Sequence, residues 1–172
     1  MKLSYFYEIV LFVFLVLLQV LLLNRISLFG MATPVLYGYF LLKLSRGRNL
    51  FYVIISAFLM GLIIDIFLNT PGMNAAAMTM VATLRKPVMS LFFDKEEYDA
   101  FVPGIYTSGG PFVRFTFLIV FLHLTILFLI ESFTLFNLTT TLLRIGTSAT
   151  ISILLMLAMD SILYRRKASE HT

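Results

Sequence analysis

No cysteine and no tryptophan occur in these 172 residues, there are two histidines, and charged side chains make up only 13% of the chain. Without cysteine there is no disulfide framework, no thiolate metal centre and no cysteine nucleophile. His123 stands in an apolar run and His171 in the C-terminal tail, so a histidine-rich metal centre is not expected either. An ordinary soluble domain carries roughly twice this charged fraction. A chain this short also has too little interior to hide an apolar content of 60% from water. The composition is that of a membrane protein. With tryptophan missing, the interfacial belt falls to tyrosines such as Tyr5, Tyr7, Tyr52 and Tyr164. Catalytic patterns are missing as well: there is no G-x-S-x-G, no H-E-x-x-H, no P-loop, and no carboxylate pair spaced for metal-dependent phosphotransfer. The acidic group Asp94, Glu96, Glu97 and Asp99 lacks the calcium-loop pattern and reads as a solvated turn. No catalytic residue, cofactor or metal is therefore expected.

What is present is a series of apolar runs. A helix rises about 1.5 Å per residue and the hydrocarbon core is about 30 Å thick, so a span needs about 20 residues. Six runs qualify as candidates, at residues 5–23, 26–44, 50–68, 73–93, 112–130 and 138–163. No small-x-small cleavage pattern follows the first, which reads as an uncleaved span. The second contains Gly30 and Pro34 and is expected to be kinked, or to start late near Pro34. The fourth is apolar only to Leu84 before Arg85-Lys86-Pro87, so it must tilt, thin the bilayer, or continue through Pro87. The formal charge of +4 sits in short clusters between these runs and reads as a topology signal, not as a nucleic-acid face. With the N-terminus inside, all lysines and arginines except Arg25 and Arg144 fall on or near the cytoplasmic side. That asymmetry predicts a six-helix, all-α membrane bundle with both termini cytoplasmic, forming a single integral membrane domain over residues 1–172.

The most informative stretch runs from Gly61 to Ala77. Four-residue spacing puts Ala57, Gly61, Asp65 and Asn69 on one side of the third helix, a small-residue contact face with a carboxylate and an amide beside it. Thr70-Pro71-Gly72 suits a type II turn, with positive φ expected at Gly72. Asn74 is then placed to cap the fourth helix, where Ala75, Thr79 and Thr83 form a second small-residue strip. The third and fourth helices should form a tight hairpin. A carboxylate in a span is costly and faces protein or a water-filled cavity. Two readings of Asp65 follow: coupling or anchoring of a partner, or a bond to a neighbouring helix end. Arg114 is expected to snorkel to the interface, His123 to be a neutral packing group, and Asp160 to be compensated locally by Tyr164-Arg165-Arg166-Lys167. Glu131 and Arg144 are expected to pair across the last hairpin.

Asn24-Arg25-Ile26-Ser27-Leu28-Phe29-Gly30-Met31-Ala32-Thr33-Pro34, the pair Gly61 and Asp65, the turn from Asn69 to Ala76, and Leu142-Leu143-Arg144 together resemble the MreD family of rod shape-determining proteins, particularly its Bacteroidetes forms. The likeness covers nearly the whole chain, including the Arg85-Lys86-Pro87 interruption. It implies a non-enzymatic scaffold in the bacterial inner membrane. Such a subunit works with the membrane helix of MreC and, through it, with MreB, RodA and a class B penicillin-binding synthase. It also implies a fold similar to the substrate-binding subunits of energy-coupling-factor transporters, which keeps open a small-molecule binding or transport function. Pro34, Gly61, Asp65, Pro71, Gly72 and Asn74 match the family's patterned positions. With Ala57, Asn69, Glu131 and Arg144 they are the candidates for structural or partner-contacting roles.

Overall fold

A computed structural model of the protein describes residues 2–23, 33–93, 101–131 and 138–169, with no strand among them. Six helices follow one another: α1 (Lys2–Leu21), α2 (Tyr39–Lys43), α3 (Leu50–Leu68), α4 (Met73–Met89), α5 (Ile105–Glu131) and α6 (Leu138–Ser169). Three stretches, Leu50–Leu68, Ile105–Glu131 and Thr139–Leu163, are long and apolar enough to cross a membrane, while the apolar stretch Tyr5–Leu21 of α1 is shorter. One apolar core takes residues from all six helices, including Leu15, Phe40, Met60, Met78, Phe115 and Met156. Large apolar side chains such as Phe6, Phe51, Ile66 and Leu154 point outward, as expected where oil replaces water.

The helices alternate in direction. Glu8, Lys43, Arg48, Arg85, Ile105 and Asp160 are tied together at one end, here called the basic end. Gln19, Tyr37, Thr70, Asn74, Glu131 and Arg144 gather at the other. Packing is most extensive between α3 and α4, then between α5 and α6 and between α4 and α5. Helix α3 opens at Asn49, whose side chain accepts from the Phe51 N–H, and closes at Asn69 in the left-handed conformation.

The second expected span is corrected. Within 26–44 only the five residues of α2 are helical; residues 26–32 lie outside the described residues. Residues 33–36 form no regular secondary structure and lead through a turn into α2, yet Val35, Leu36, Tyr37 and Tyr39–Leu42 are all buried. Non-helical backbone is tolerated in such surroundings only if protein groups satisfy it. Here they do. Gln19 donates from Nε2 to the Pro34 carbonyl at 3.0 Å and accepts the Leu36 N–H at 2.8 Å. Ser148 and Ser152 of α6 accept the Thr33 and Val35 N–H groups at 3.1 and 2.9 Å. Pro34 removes the one donor between them.

The fourth span resolves in favour of continuation, since α4 runs past Pro87 to Met89. Its buried stripe is Asn74, Ala75, Met78, Val81, Ala82 and Arg85, so the expected Ala75–Thr79–Thr83 strip is not the packed face; Thr83 is exposed. Helix α5 bends at Gly109, with φ 33° and ψ −107°, just before Pro111 restarts it.

Replacing Gln19 with Leu strands the Pro34 carbonyl and the Leu36 N–H, so stability falls by on the order of 2 kcal/mol. Thermal unfolding in detergent measures this loss, and an unchanged midpoint would contradict the clamp.

Candidate functional site

The hairpin of α3 and α4 is built around backbone contact. Ala57 and Gly61 are buried, and a Cβ on Gly61 would lie 2.5 Å from Ala75 Cα and 2.6 Å from the Asn74 carbonyl oxygen. The small-residue face is therefore a contact face, but its occupant is α4 of the same chain. A bulky substitution at Gly61 acts on the fold before it can report on a partner. The turn has the expected chemistry: Gly72 has φ 76° and ψ 1°, the third position of a type II turn after Pro71. Asn69 is exposed and contributes its left-handed backbone, its N–H returning to the Asp65 carbonyl.

Asp65 explains the rest of the turn. Its Oδ1 accepts from Thr70 Oγ1 at 2.7 Å, Asn74 Nδ2 at 2.8 Å and the Asn74 N–H at 3.0 Å, while Oδ2 accepts the Ala75 N–H at 2.9 Å. The first N–H groups of a helix have no partner within it and carry the positive end of its dipole. A carboxylate supplied by the preceding helix satisfies both demands. The bond to a neighbouring helix end is the reading the geometry supports. It corrects the expectation for Asn74, which does not cap α4 itself; no side-chain cap comes from Gly72 either. Asn74 extends the network inward instead. Its Oδ1 accepts from Tyr37 Oη at 2.6 Å, and that hydroxyl lies 2.8 Å from His123 Nε2. Since the Tyr37 proton goes to Asn74, His123 must donate from Nε2. Its Nδ1 has no partner among the described residues. His123 is thus a buried hydrogen-bonded packing group, with its ring edge-on to Tyr37.

A cavity of about 270 Å³ opens above this network at the end away from the basic residues. Its wall includes Gln19, Pro34, Val35, Tyr37, Asn74 and Leu127, and its rim carries Glu131 and Arg144. The expected pair forms, with Arg144 Nη1 donating to Glu131 Oε1 at 3.0 Å, and the guanidinium lies 4.8 Å from the Phe128 ring centre.

The basic end is held by three charged groups that sequence patterns did not link. Asp160 is 3% exposed and reaches across the bundle: it pairs with Lys43 at 2.7 Å, accepts from Tyr39 Oη at 2.6 Å and accepts the Ile105 N–H at 2.8 Å. The expected local compensation falls on residues 164–167, whose side chains lie outside the described residues. Arg85 is buried and donates to the carbonyls of Leu41 and Leu44, capping the C-terminus of α2. Glu8 pairs with Arg48 at 2.7 Å and accepts from Tyr52 Oη at 2.9 Å, while the Arg48 guanidinium lies 3.8 Å from the Tyr5 ring centre. Burial opposes the Arg48 cation, but the hydrogen bond and charge of Glu8 outweigh it and raise its pKa above the ordinary value. Arg114 is exposed, as snorkelling requires. The acidic run Asp94–Asp99 lies outside the described residues.

No protein family, no curated protein and no solved structure matches the chain.

Asp65→Ala strands the Asn74 and Ala75 N–H groups and is expected to cost about 3 kcal/mol. Asp65→Asn, which keeps one acceptor oxygen, costs clearly less. Equal thermal midpoints for both variants and the parent would contradict the cap. For the rim, reversing Glu131 or Arg144 alone lowers the midpoint and reversing both together recovers it. A double reversal no better than the worse single one would show that the pair contributes nothing.

Proposed function

We propose that the chain is a multi-pass scaffold of the bacterial inner membrane, of MreD type, with six passes and both termini cytoplasmic. It binds the membrane helix of MreC and helps to position RodA and a class B penicillin-binding synthase around the MreB-guided elongation machinery. The orientation is supported by Lys43, Arg46, Arg48, Arg85 and Lys86 sharing one end while Arg144 stands at the other. The six passes count the buried, broken segment around α2 as one of them.

One observation carries the scaffold reading. The buried charged side chains Glu8, Asp65, Arg85 and Asp160 are each committed to backbone groups or to an opposite charge within the fold. Such commitments favour a rigid platform, since every one of them joins two different elements. The resemblance of the turn from Asn69 to Ala76 and of the Gly61–Asp65 pair to the MreD pattern supplies the identity of the partners. Because α4 already occupies the Ala57–Gly61 face, a partner helix approaches another, lipid-facing surface.

Depletion in a rod-shaped native host is expected to round the cells, and MreC is expected to co-purify with the tagged protein in mild detergent. Unchanged shape together with a new nutrient requirement would reject the scaffold and favour a transport subunit.

A further inference from the structure

The scaffold reading leaves the 270 Å³ cavity without a task. Three features of this space bear on what it could hold. First, it lies against a buried stretch where the chain departs from helix, since Thr33, Pro34 and Val35 line it. Interrupted backbone of this kind is stable where it lines a cavity, and broken spans are where membrane proteins place ligands. Second, the polar groups deep in the wall are already satisfied. Asn74 donates to Asp65 and Thr70 and accepts from Tyr37, and Gln19 is engaged with residues 34 and 36. What the depth offers is the apolar surface of Val35 and Leu127. Third, the rim is unsaturated. Arg144 uses Nη1 on Glu131 Oε1, which among the described residues leaves its other N–H groups and the second Glu131 oxygen open, with the two side chains 29% and 34% exposed.

We propose that this cavity is a binding site for a small uncharged molecule with an apolar body and an amide-like head, one that presents a hydrogen-bond acceptor and donor side by side. The head's carbonyl accepts from Arg144 while its N–H donates to Glu131, and the body fills the space between Val35 and Leu127. The charge balance of the rim among the described residues decides the class. A carboxylate gains Arg144 but faces Glu131, an ammonium gains Glu131 but faces Arg144, and a zwitterion must desolvate two charges of its own, so a neutral head that both donates and accepts suits the pair best. The volume lies just under the roughly 300–1,000 Å³ of sites for drug-sized molecules, which limits the body to about a single ring. This site stands apart from partner assembly, which the scaffold reading places on lipid-facing surfaces.

The test uses the full chain in nanodiscs of a zwitterionic phospholipid, with protein-free discs subtracted. Calorimetric titration with para-ethylbenzamide, para-ethylbenzoate and para-ethylbenzylamine should show the amide binding at least about tenfold more tightly than either charged analogue. Glu131→Gln should transfer the preference to the benzoate and Arg144→Gln to the benzylamine, each by about tenfold. Leu127→Trp, which fills the cavity, should abolish binding; if that variant does not fold, the two rim variants still decide. The proposal is overturned if no probe binds above the protein-free discs, if charged and neutral probes bind alike, or if the rim variants leave the preference unchanged. It is also overturned if native mass spectrometry finds a phospholipid retained one to one that Leu127→Trp releases, because the cavity would then belong to a lipid.

Discussion

A helix that begins inside a low-dielectric surrounding presents N–H groups that water cannot reach, and a carboxylate placed there has no solvent to stabilise its charge. Each is costly alone. In this chain the two costs offset each other, because Asp65 near the end of α3 accepts the Asn74 and Ala75 N–H groups at the start of α4. The bond requires the helices to lie almost in backbone contact, which Gly61 against Ala75 permits. It also requires a tight return of the chain, which Asn69, Pro71 and Gly72 provide. From the same cap, Asn74 carries the network to Tyr37 and so fixes the broken segment in the centre of the bundle.

The same logic recurs at the basic end with the roles exchanged. There Arg85 meets the carbonyls that end α2, and Asp160 meets the Ile105 N–H that opens α5 together with Lys43 and Tyr39. The five-residue helix α2 is too short to hold itself. It persists because Gln19, Ser148, Ser152 and Arg85 supply the hydrogen bonds that a continuous helix would have made internally. Ionisable groups in this protein therefore act mainly as joints between helix ends, and the space left beside the broken segment is a by-product of the same arrangement.

Local chemistry made part of this legible. The left-handed Gly72 of the turn, the close approach at Gly61, the long helices α3, α5 and α6, and the pairing of Glu131 with Arg144 all depend on residues near one another in sequence or on hydropathy alone. The pairing of Asp160 with Lys43 does not: the partners are more than a hundred residues apart, and Arg165 and Arg166 stand much nearer in sequence. Arg85 misled for a related reason. A guanidinium before a proline looks like the end of a span, whereas here it is buried because the carbonyls of α2 come to meet it. The second span was long enough in apolar residues, but nothing in its composition shows that Ser148 and Ser152 would satisfy it in a non-helical form. Gln19 was the available signal, a lone amide in an otherwise apolar helix that had to find polar partners.

The central claim is that Asp65 serves as the cap of α4 and not as a titrating or coupling group. Amide hydrogen exchange in lipid nanodiscs, followed by nuclear magnetic resonance at Asn74 and Ala75, tests it most directly. Both protons should be protected to the same degree as those in the middle of α4. Exchange at the rate of an open helix end would contradict the cap and, with it, the network built upon it.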